Sequence, residues 1–276
     1  MIKITATDVN TLRKQTGAGM MDCKNALVEA EGDFEKAIDF LRKKGQKVAA
    51  KRGERDANEG LVLAKTVDGK RGVLIVLNCE TDFVAKNEAF GEFAYSILDL
   101  AIKNNPANLD ELKSMNYNGG SLTVADRIIE EVGKIGEKID LSAYEVVEAG
   151  KVVAYNHPGN RLASMVGFSI EENTEDAGRD VAMQIAAMNP LSVDKEGINE
   201  DVIKKEIEIG KEQARAEGKP EEMVEKIAMG KLNKFFKENT LMNQQFIKDN
   251  KQTVKQYLES INKDLKVTDF KRIALA

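Results

Sequence analysis

The chain has 276 residues, of which 32% are charged and only 5% aromatic, and its formal net charge is −5. This length accommodates two or three domains with hydrophobic cores of their own. The acidic balance argues against a protein built to neutralise phosphates, and two cysteines with one histidine are too few for a disulfide framework or a closed zinc site without carboxylates. We therefore expect a helix-rich protein without metal or cofactor.

The segment Met1-Ile2-Lys3-Ile4-Thr5 lacks the apolar stretch of a signal peptide, and no apolar run reaches membrane-spanning length. These features predict a soluble, cytoplasmic protein. We expect it to bind neither a membrane nor, directly, a nucleic acid.

Residues 7–44 carry apolar side chains at helical spacing, with breaks at Gly17-Ala18-Gly19 and Gly32-Asp33, which predicts three short helices. A bundle of this size has a core of about eight side chains and is marginal alone. Met20 and Met21 follow the first break, in the predicted loop. Flexible methionines suit an adaptable contact surface, but they can equally fill the small core.

Residues 46–58 are highly charged and show no apolar stripe. This composition predicts a linker that is partly helical. Its basic cluster can touch RNA, but the composition favours a solvated tether.

A repeat extends over residues 60–190. An Asp68-Gly69 turn predicts a β-hairpin, and a similar segment begins at Gly150, 90 positions after Gly60. The residue pairs that match without a gap are Gly60/Gly150, Val62/Val152, Ala64/Ala154, Gly69/Gly159, Arg71/Arg161 and Val76/Val166.

The two copies of the repeat differ in length before their helices. Each predicted helix ends at Asn-Pro, and Asn105 and Asn189 are only 84 positions apart, so the first copy holds six additional residues. The segment 80–86 lies in this insertion, which predicts a loop with a task of its own. Phe83 can fold back into the core from here, or it can project as a wedge for another protein.

The remaining chain predicts further helices and strands. Residues 122–135 form an amphipathic helix and residues 139–147 alternate like a strand. Residues 199–239 predict two charged helices joined at Gly218-Lys219-Pro220, which together make a protruding antiparallel hairpin. A helix and a strand around residues 267–275 close the chain.

The expected fold class is α+β, with each repeat unit forming a small antiparallel sheet covered by helices. The predicted parts are a three-helix domain (1–45), a linker (46–58), a first core subdomain (59–138), a second core subdomain (139–197 and 240–276) and a helical hairpin (198–239).

Catalytic motifs are missing from the sequence. Residues 133–138 (Gly-Lys-Ile-Gly-Glu-Lys) only poorly imitate a phosphate-binding loop, and there is no Gly-x-Ser-x-Gly elbow. Cys23 has no obvious base beside it and is expected to pack. Because no nucleophile, base and oxyanion site assemble, we predict no catalytic residues and a binding protein rather than an enzyme.

Two long segments, Leu12–Leu27 and Leu77–Lys86, resemble the two signatures of the bacterial elongation factor Ts family. The order of the parts agrees as well: a bundle like the ubiquitin-associated domain, a two-part core and a helical hairpin. The resemblance covers essentially the whole chain. It implies a guanine nucleotide exchange factor that binds GDP-bound elongation factor Tu, displaces its Mg²⁺ and promotes GDP release so that GTP can bind.

The resemblance also implies partner-binding residues. The positions that match family contacts to the partner's GTPase domain are Arg13, Met20, Met21 and Lys24. The loop that inserts between two partner helices and disturbs the bound magnesium corresponds to Thr81, Asp82, Phe83 and Val84. His157 matches a family histidine that adds a further contact.

The hairpin resembles the family's coiled-coil module, which contacts the partner or a second copy of the chain, so a homodimer through this hairpin is one expectation. Some family members carry a further helix after the last strand; it is missing here, and we expect no contact from it. An adaptor that binds another peptide or the ribosome through the small bundle is the alternative function. Such an adaptor has no need of Phe83.

Overall fold

In the computed structural model of the protein, residues 4–171 and 174–276 are described. Residues 1–3 of the predicted first domain and residues 172–173 of the predicted second subdomain lie outside them. The described chain combines helices with small antiparallel sheets and is of the α+β class. Within these ranges, no helix has the length and apolarity needed to cross a membrane.

The helices of the described chain are α1 (Ala6–Thr16), α2 (Met20–Glu29), α3 (Phe34–Arg52), α4 (Asp82–Ala85), α5 (Glu88–Asn104), α6 (Leu109–Ser114), α7 (Val124–Ile135), α8 (Glu175–Met188), α9 (Glu200–Ala216), α10 (Glu221–Asn239) and α11 (Val254–Ile261). Its strands are β1 (Glu59–Val67), β2 (Arg71–Cys79), β3 (Asp140–Glu148), β4 (Lys151–Asn156), β5 (Leu162–Phe168), β6 (Gln245–Phe246), β7 (Asp249–Thr253) and β8 (Val267–Ala274).

Helices α1 to α3 pack around a small core. Thr5 and Asp8 form a capping box at the start of α1, and Gly17 ends α1 in the left-handed conformation at φ 70°. The buried side chains between the three helices are Val9, Leu12, Ala18, Cys23, Ala26, Leu27, Ala30 and Ala37. Met20 and Met21 begin α2, so their predicted place in a loop is wrong.

Helix α3 continues to Arg52, well past the predicted boundary of the first domain. Its second half crosses α7 where two glycines face each other: a Cβ on Gly133 would lie 2.9 Å from the Cα of Gly45. Val48 and Ala49 then pack against the core of the first sheet. Residues 46–52 are therefore packed helix and not a solvated tether. The packing of this segment could not be recognised from the sequence, because the contact is made by small residues that form no wide apolar stripe.

The two three-stranded sheets are antiparallel, with strand orders β1-β2-β3 and β4-β5-β8. We predicted the strand after residue 139 within the second subdomain, but β3 pairs with β2 along Arg71↔Glu148 to Asn78↔Asp140. That boundary was wrong because alternation in a sequence identifies a strand without identifying its partner strand.

The two sheets pack face to face and share one hydrophobic interior. This shared core consists of Val62, Ala64, Leu74, Val76, Val147, Val152, Ala163 and Met165. The opposite face of the first sheet is covered by α5 and α7, and that of the second sheet by α8 and α11. Because β2 is buried on both faces, it is apolar almost throughout.

Matched residues of the repeat occupy equivalent structural positions in both copies. A Cβ on Gly60 would lie 2.2 Å from the carbonyl oxygen of Leu77, and one on Gly150 would lie 2.5 Å from that of Ser169. Helices α5 and α8 both end at an asparagine in the left-handed conformation, Asn105 and Asn189. The six-residue insertion of the first copy contains α4.

Helices α9 and α10 pack against each other after a short turn at Gly218, whose φ is 73°. Their backbones come close at Gly210, where a Cβ would lie 3.0 Å from the Cα of Ala228. Ile198, Leu232 and Phe236 form a small buried cluster at one end of the pair.

Candidate partner-binding site

The loop between β2 and α5 presents one aromatic side chain to solvent. Phe83 lies in the single turn α4 and is 83% exposed. Its neighbours Val84 and Ala85 pack against the core of the first sheet. Because successive helical residues point in different directions, seating Val84 inward turns Phe83 outward. The interpretation in which Phe83 folds back into its own core is therefore wrong.

Asp82 and Thr81 shape the start of this turn. Thr81 is the N-cap of α4, and its Oγ1 accepts a hydrogen bond from the backbone N–H of Val84 at 3.5 Å. The Asp82 carboxylate accepts one from Lys86 Nζ at 2.6 Å. The hydrogen bond from Lys86 is the main cause of a lowered Asp82 pKa. Asp82 is thus an anion directly beside the exposed ring.

Glu80, the first residue of the loop, connects it to two other segments of the chain through hydrogen bonds. Its carboxylate accepts hydrogen bonds from Arg52 at 2.7 and 2.9 Å, from Arg55 at 3.1 Å and from the backbone N–H of Lys138 at 2.6 Å. Burial by itself raises the pKa of Glu80, but the hydrogen bonds from Lys138, Arg52 and Arg55 outweigh it and lower the pKa to about 2.

Glu137 holds the neighbouring residue of the loop. Its carboxylate accepts from the backbone N–H of Thr81 at 3.1 Å and from Thr81 Oγ1 at 2.7 Å. The segment 133–138, which imitates a phosphate-binding loop in sequence, has a structural explanation instead. Gly133 permits the crossing with α3, Gly136 ends α7 at φ 79°, and the next two residues bind the loop.

Both cysteines are buried and free. Burial is the main cause that raises the pKa of the Cys79 thiol to about 12, so this thiol stays protonated and is a poor nucleophile. Within residues 4–171 and 174–276, no group of three or more His, Cys, Asp or Glu side chains is arranged to hold a metal ion.

The small bundle presents two methionines at the start of α2. Met20 is 55% exposed and Met21 is 62% exposed. The interpretation in which they fill the bundle core is therefore wrong. Arg13 and Lys24 are exposed on α1 and α2.

One open groove of about 810 Å³ lies between the bundle and the first subdomain. Gly17, three positions before Met20, lines it together with Phe83 and Val84. Phe90 and Phe93 of α5 form part of its apolar wall. The structure therefore brings the end of α1 and the exposed loop to the same depression.

His157 lies elsewhere, at the tip between β4 and β5, and is exposed. Its Nδ1 is 3.0 Å from the hydroxyl of Tyr155. The adjoining Asn156 hydrogen-bonds to the backbone of Ala64, which covers the free edge of β1. His157 does not line the groove beside Phe83.

A family model described as "Elongation factor TS" matches residues 80–276. Three curated relatives described as "Elongation factor Ts" are similar over nearly the full length. They come from Amoebophilus asiaticus (55% identical, covering 98% of both chains), Flavobacterium psychrophilum (52%, covering 100% of both) and Christiangramia forsetii (51%, covering 100% of both).

The chain belongs to the elongation factor Ts family. The resemblance found from the sequence is thereby confirmed. The part that matches the elongation factor Ts model begins at Glu80 and includes the whole exposed loop. The bundle precedes that range, but the full-length relatives in the elongation factor Ts family cover it.

Sequence analysis did not identify the residues that support the exposed loop of this member of the elongation factor Ts family. Arg52 and Arg55 stood in the predicted tether, and Glu137 and Lys138 in a discarded motif. One sequence feature could have indicated the contact: Glu80 is acidic, and the cluster of residues before β1 is basic. Sequence alone does not reveal that these groups meet, because 28 positions separate Arg52 from Glu80 and 58 separate Glu80 from Lys138.

Proposed function

We propose that this protein is a translation elongation factor that acts as the guanine nucleotide exchange factor of elongation factor Tu. It binds the GDP-bound partner, displaces the partner's Mg²⁺ and promotes GDP release so that GTP can bind. It performs no chemical reaction of its own. The observation that carries the proposal is the exposure of Phe83, at 83%, on a loop that is hydrogen-bonded through Glu80 to the end of α3 and through Glu80 and Thr81 to the turn after α7.

The loop Thr81 to Val84 acts by differential binding. A ligand that prefers the nucleotide-free partner over the GDP-bound one weakens GDP binding by the same factor. Each tenfold change requires about 1.4 kcal/mol, and burial of one Phe side chain contributes roughly 1.5–3 kcal/mol. Phe83 therefore accounts for one or two decades. Loss of the magnesium ion, which neutralises the phosphates, supplies much of the rest.

The small bundle acts as the docking module. In this proposal residues 1–45 form a domain like the ubiquitin-associated domain, and Arg13, Met20, Met21 and Lys24 contact the partner's GTPase domain near its nucleotide. Two half-exposed methionines suit such a surface because their flexible thioether side chains can adapt to the shape of the partner's surface. His157 adds a separate contact from the second subdomain.

The other parts have supporting roles in this proposal. The pair α9 and α10 forms a protruding coiled-coil-like module that contacts the partner or a second copy of the chain. The core divides into two subdomains at the connection between β3 and β4. The protein works in the cytoplasm, without contacting nucleic acid or membrane directly.

Release of labelled GDP from elongation factor Tu tests this function. We expect a catalytic amount of the protein to accelerate release strongly under conditions in which Mg²⁺ is present. Partner protein with excess unlabelled GDP and no exchange factor gives the basal rate. A rate equal to that basal rate at saturating protein would refute the proposed function.

Removing both methionine side chains, as Met20→Ala with Met21→Ala, should weaken binding to elongation factor Tu about tenfold, because two apolar side chains no longer enter the contact. The thermal midpoint should stay within about 2 °C of wild type, since both side chains are exposed. Calorimetric titration measures the affinity. Met188→Ala, at a methionine that is 45% exposed on α8, is the matched control. Equal affinities for wild type and the double variant would rule out this docking surface.

A further inference from the structure

We propose that Glu80 is the positioning residue of the exposed loop: by joining the end of α3 to the turn after α7, its carboxylate holds Phe83 in the orientation that the partner meets. This inference rests on the proposed exchange function for its biological meaning. Its structural content concerns the isolated protein and can be tested there.

The geometry around Glu80 is that of a junction. Arg52 and Arg55 donate from the end of α3 and the residues just after it, whereas the backbone N–H of Lys138 donates from the turn that follows α7. The Glu80 side chain is only 14% exposed, and that of Arg52 is 27% exposed. Partly buried, charge-assisted hydrogen bonds are shorter and stronger than neutral ones. The carboxylate therefore connects three chain segments at the base of the loop.

The junction is reinforced by a second link to the same turn. Glu137, adjacent to Lys138, binds both the backbone N–H and the hydroxyl of Thr81. Lys138 Nζ in turn donates to the backbone carbonyls of Gly53 and Arg55 at 2.9 and 2.8 Å. The two residues immediately before α4 are thus held by hydrogen bonds to the end of α3 and to the turn after α7, although α4 itself is a single turn with no fully buried side chain.

Such support matters because a four-residue helix does not hold its shape alone. A loop that is ordered before binding avoids the loss of conformational entropy at the moment of binding. Without the Glu80 carboxylate, the loop retains Phe83 but presents it in many orientations. The expected consequence is a weaker wedge rather than a weaker fold, and this distinction can be measured.

The functional test is a double-mutant cycle on GDP release from elongation factor Tu. Glu80→Gln should lower the accelerated rate about tenfold, since the charge-assisted hydrogen bonds are lost. In a protein that already carries Phe83→Ala, the same change should lower the rate less than about twofold, because a positioning residue acts only through the group that it positions. Equal losses in both backgrounds would overturn the proposal.

Hydrogen–deuterium exchange on the isolated protein tests the positioning itself. The backbone N–H groups of Ala85, Lys86 and Asn87 close the turn α4, and Glu80→Gln should raise their exchange rates at least about fivefold while those of β2 stay unchanged. Asp180→Asn is the matched control: Asp180 is an ion-paired carboxylate, 16% exposed, on α8. This control should alter neither α4 nor GDP release.

The two measurements separate the two claims. Unchanged exchange at residues 85–87 in Glu80→Gln would overturn the positioning role whatever the partner does. Faster exchange at residues 85–87 in Glu80→Gln would support the positioning role. If the wild-type protein at the same time fails to accelerate GDP release, the proposed function is refuted while the positioning role stands.

Discussion

Replacing Phe83 with alanine should slow the GDP release promoted by this protein at least about tenfold, because the ring's burial in a partner crevice contributes on the order of 1.5–3 kcal/mol. The ring is 83% exposed in the free protein, so its removal should leave the free energy of unfolding within about 0.5 kcal/mol of wild type. Stopped-flow fluorescence of a labelled nucleotide measures the rate, and thermal denaturation measures the stability.

The matched control for this variant is Leu191→Ala, which truncates another exposed apolar side chain, 57% exposed after α8. We expect wild-type release rates from it. A further distinction is available from the Mg²⁺ concentration. If the loop acts by disturbing the partner's magnesium, the difference between wild type and Phe83→Ala should shrink when Mg²⁺ is chelated. Identical rates for the two proteins at physiological Mg²⁺ would exclude the wedge.

Replacing Gly60 with alanine should destabilise the protein by about 3 kcal/mol or more. Gly60 has a φ of 142°, which L residues rarely adopt, and a Cβ there would lie 2.2 Å from the carbonyl oxygen of Leu77. A strained backbone costs about 1–3 kcal/mol and overpacking adds a similar amount. The expected observation is a thermal midpoint lower by about 5–10 °C, together with loss of protection in β1 and β2.

Gly230→Ala on α10 is the matched control for Gly60→Ala. Apart from its chain neighbours and the nearby backbone of α10 itself, no atom lies within 4 Å of a Cβ at Gly230, and alanine in a helix interior is favoured over glycine by up to about 1 kcal/mol. The control should therefore raise the thermal midpoint slightly. A Gly60→Ala protein as stable as wild type would show that β1 and β2 can move apart, contrary to the close packing described.

Local features of the fold were predictable because local chemistry determines them. Asp68 and Gly69 both adopt positive φ, at 51° and 64°, as an Asp-Gly hairpin turn requires. The repeat was visible because Gly60 and Gly150 meet the same steric requirement in both copies. The partner of β3 and the packing of α3 on α7 were not predictable, since both depend on contacts between segments far apart in the chain.

The candidate site was predictable in its residues but not in its geometry. The resemblance to the elongation factor Ts family marked Thr81 to Val84, and the insertion in the first repeat marked the same segment independently. Neither determines which way Phe83 points. That orientation follows from Val84, which packs against the core, and from the hydrogen bonds of Glu80. The partners of Glu80 lie in the segment predicted as a solvated linker and in the segment that only resembles a phosphate-binding loop.

The 19 residues of α3 span about 28 Å from the small bundle to the base of the loop. Because α3 also contacts α7 backbone to backbone at Gly45 and Gly133, the bundle has little freedom to swivel against the first sheet. A partner captured by the bundle would meet the aromatic ring in the same encounter, without a second search in solution. The loss of rotational and translational freedom would then be incurred once for both contacts, so that under the proposed function capture and opening of the nucleotide site would form a single association event.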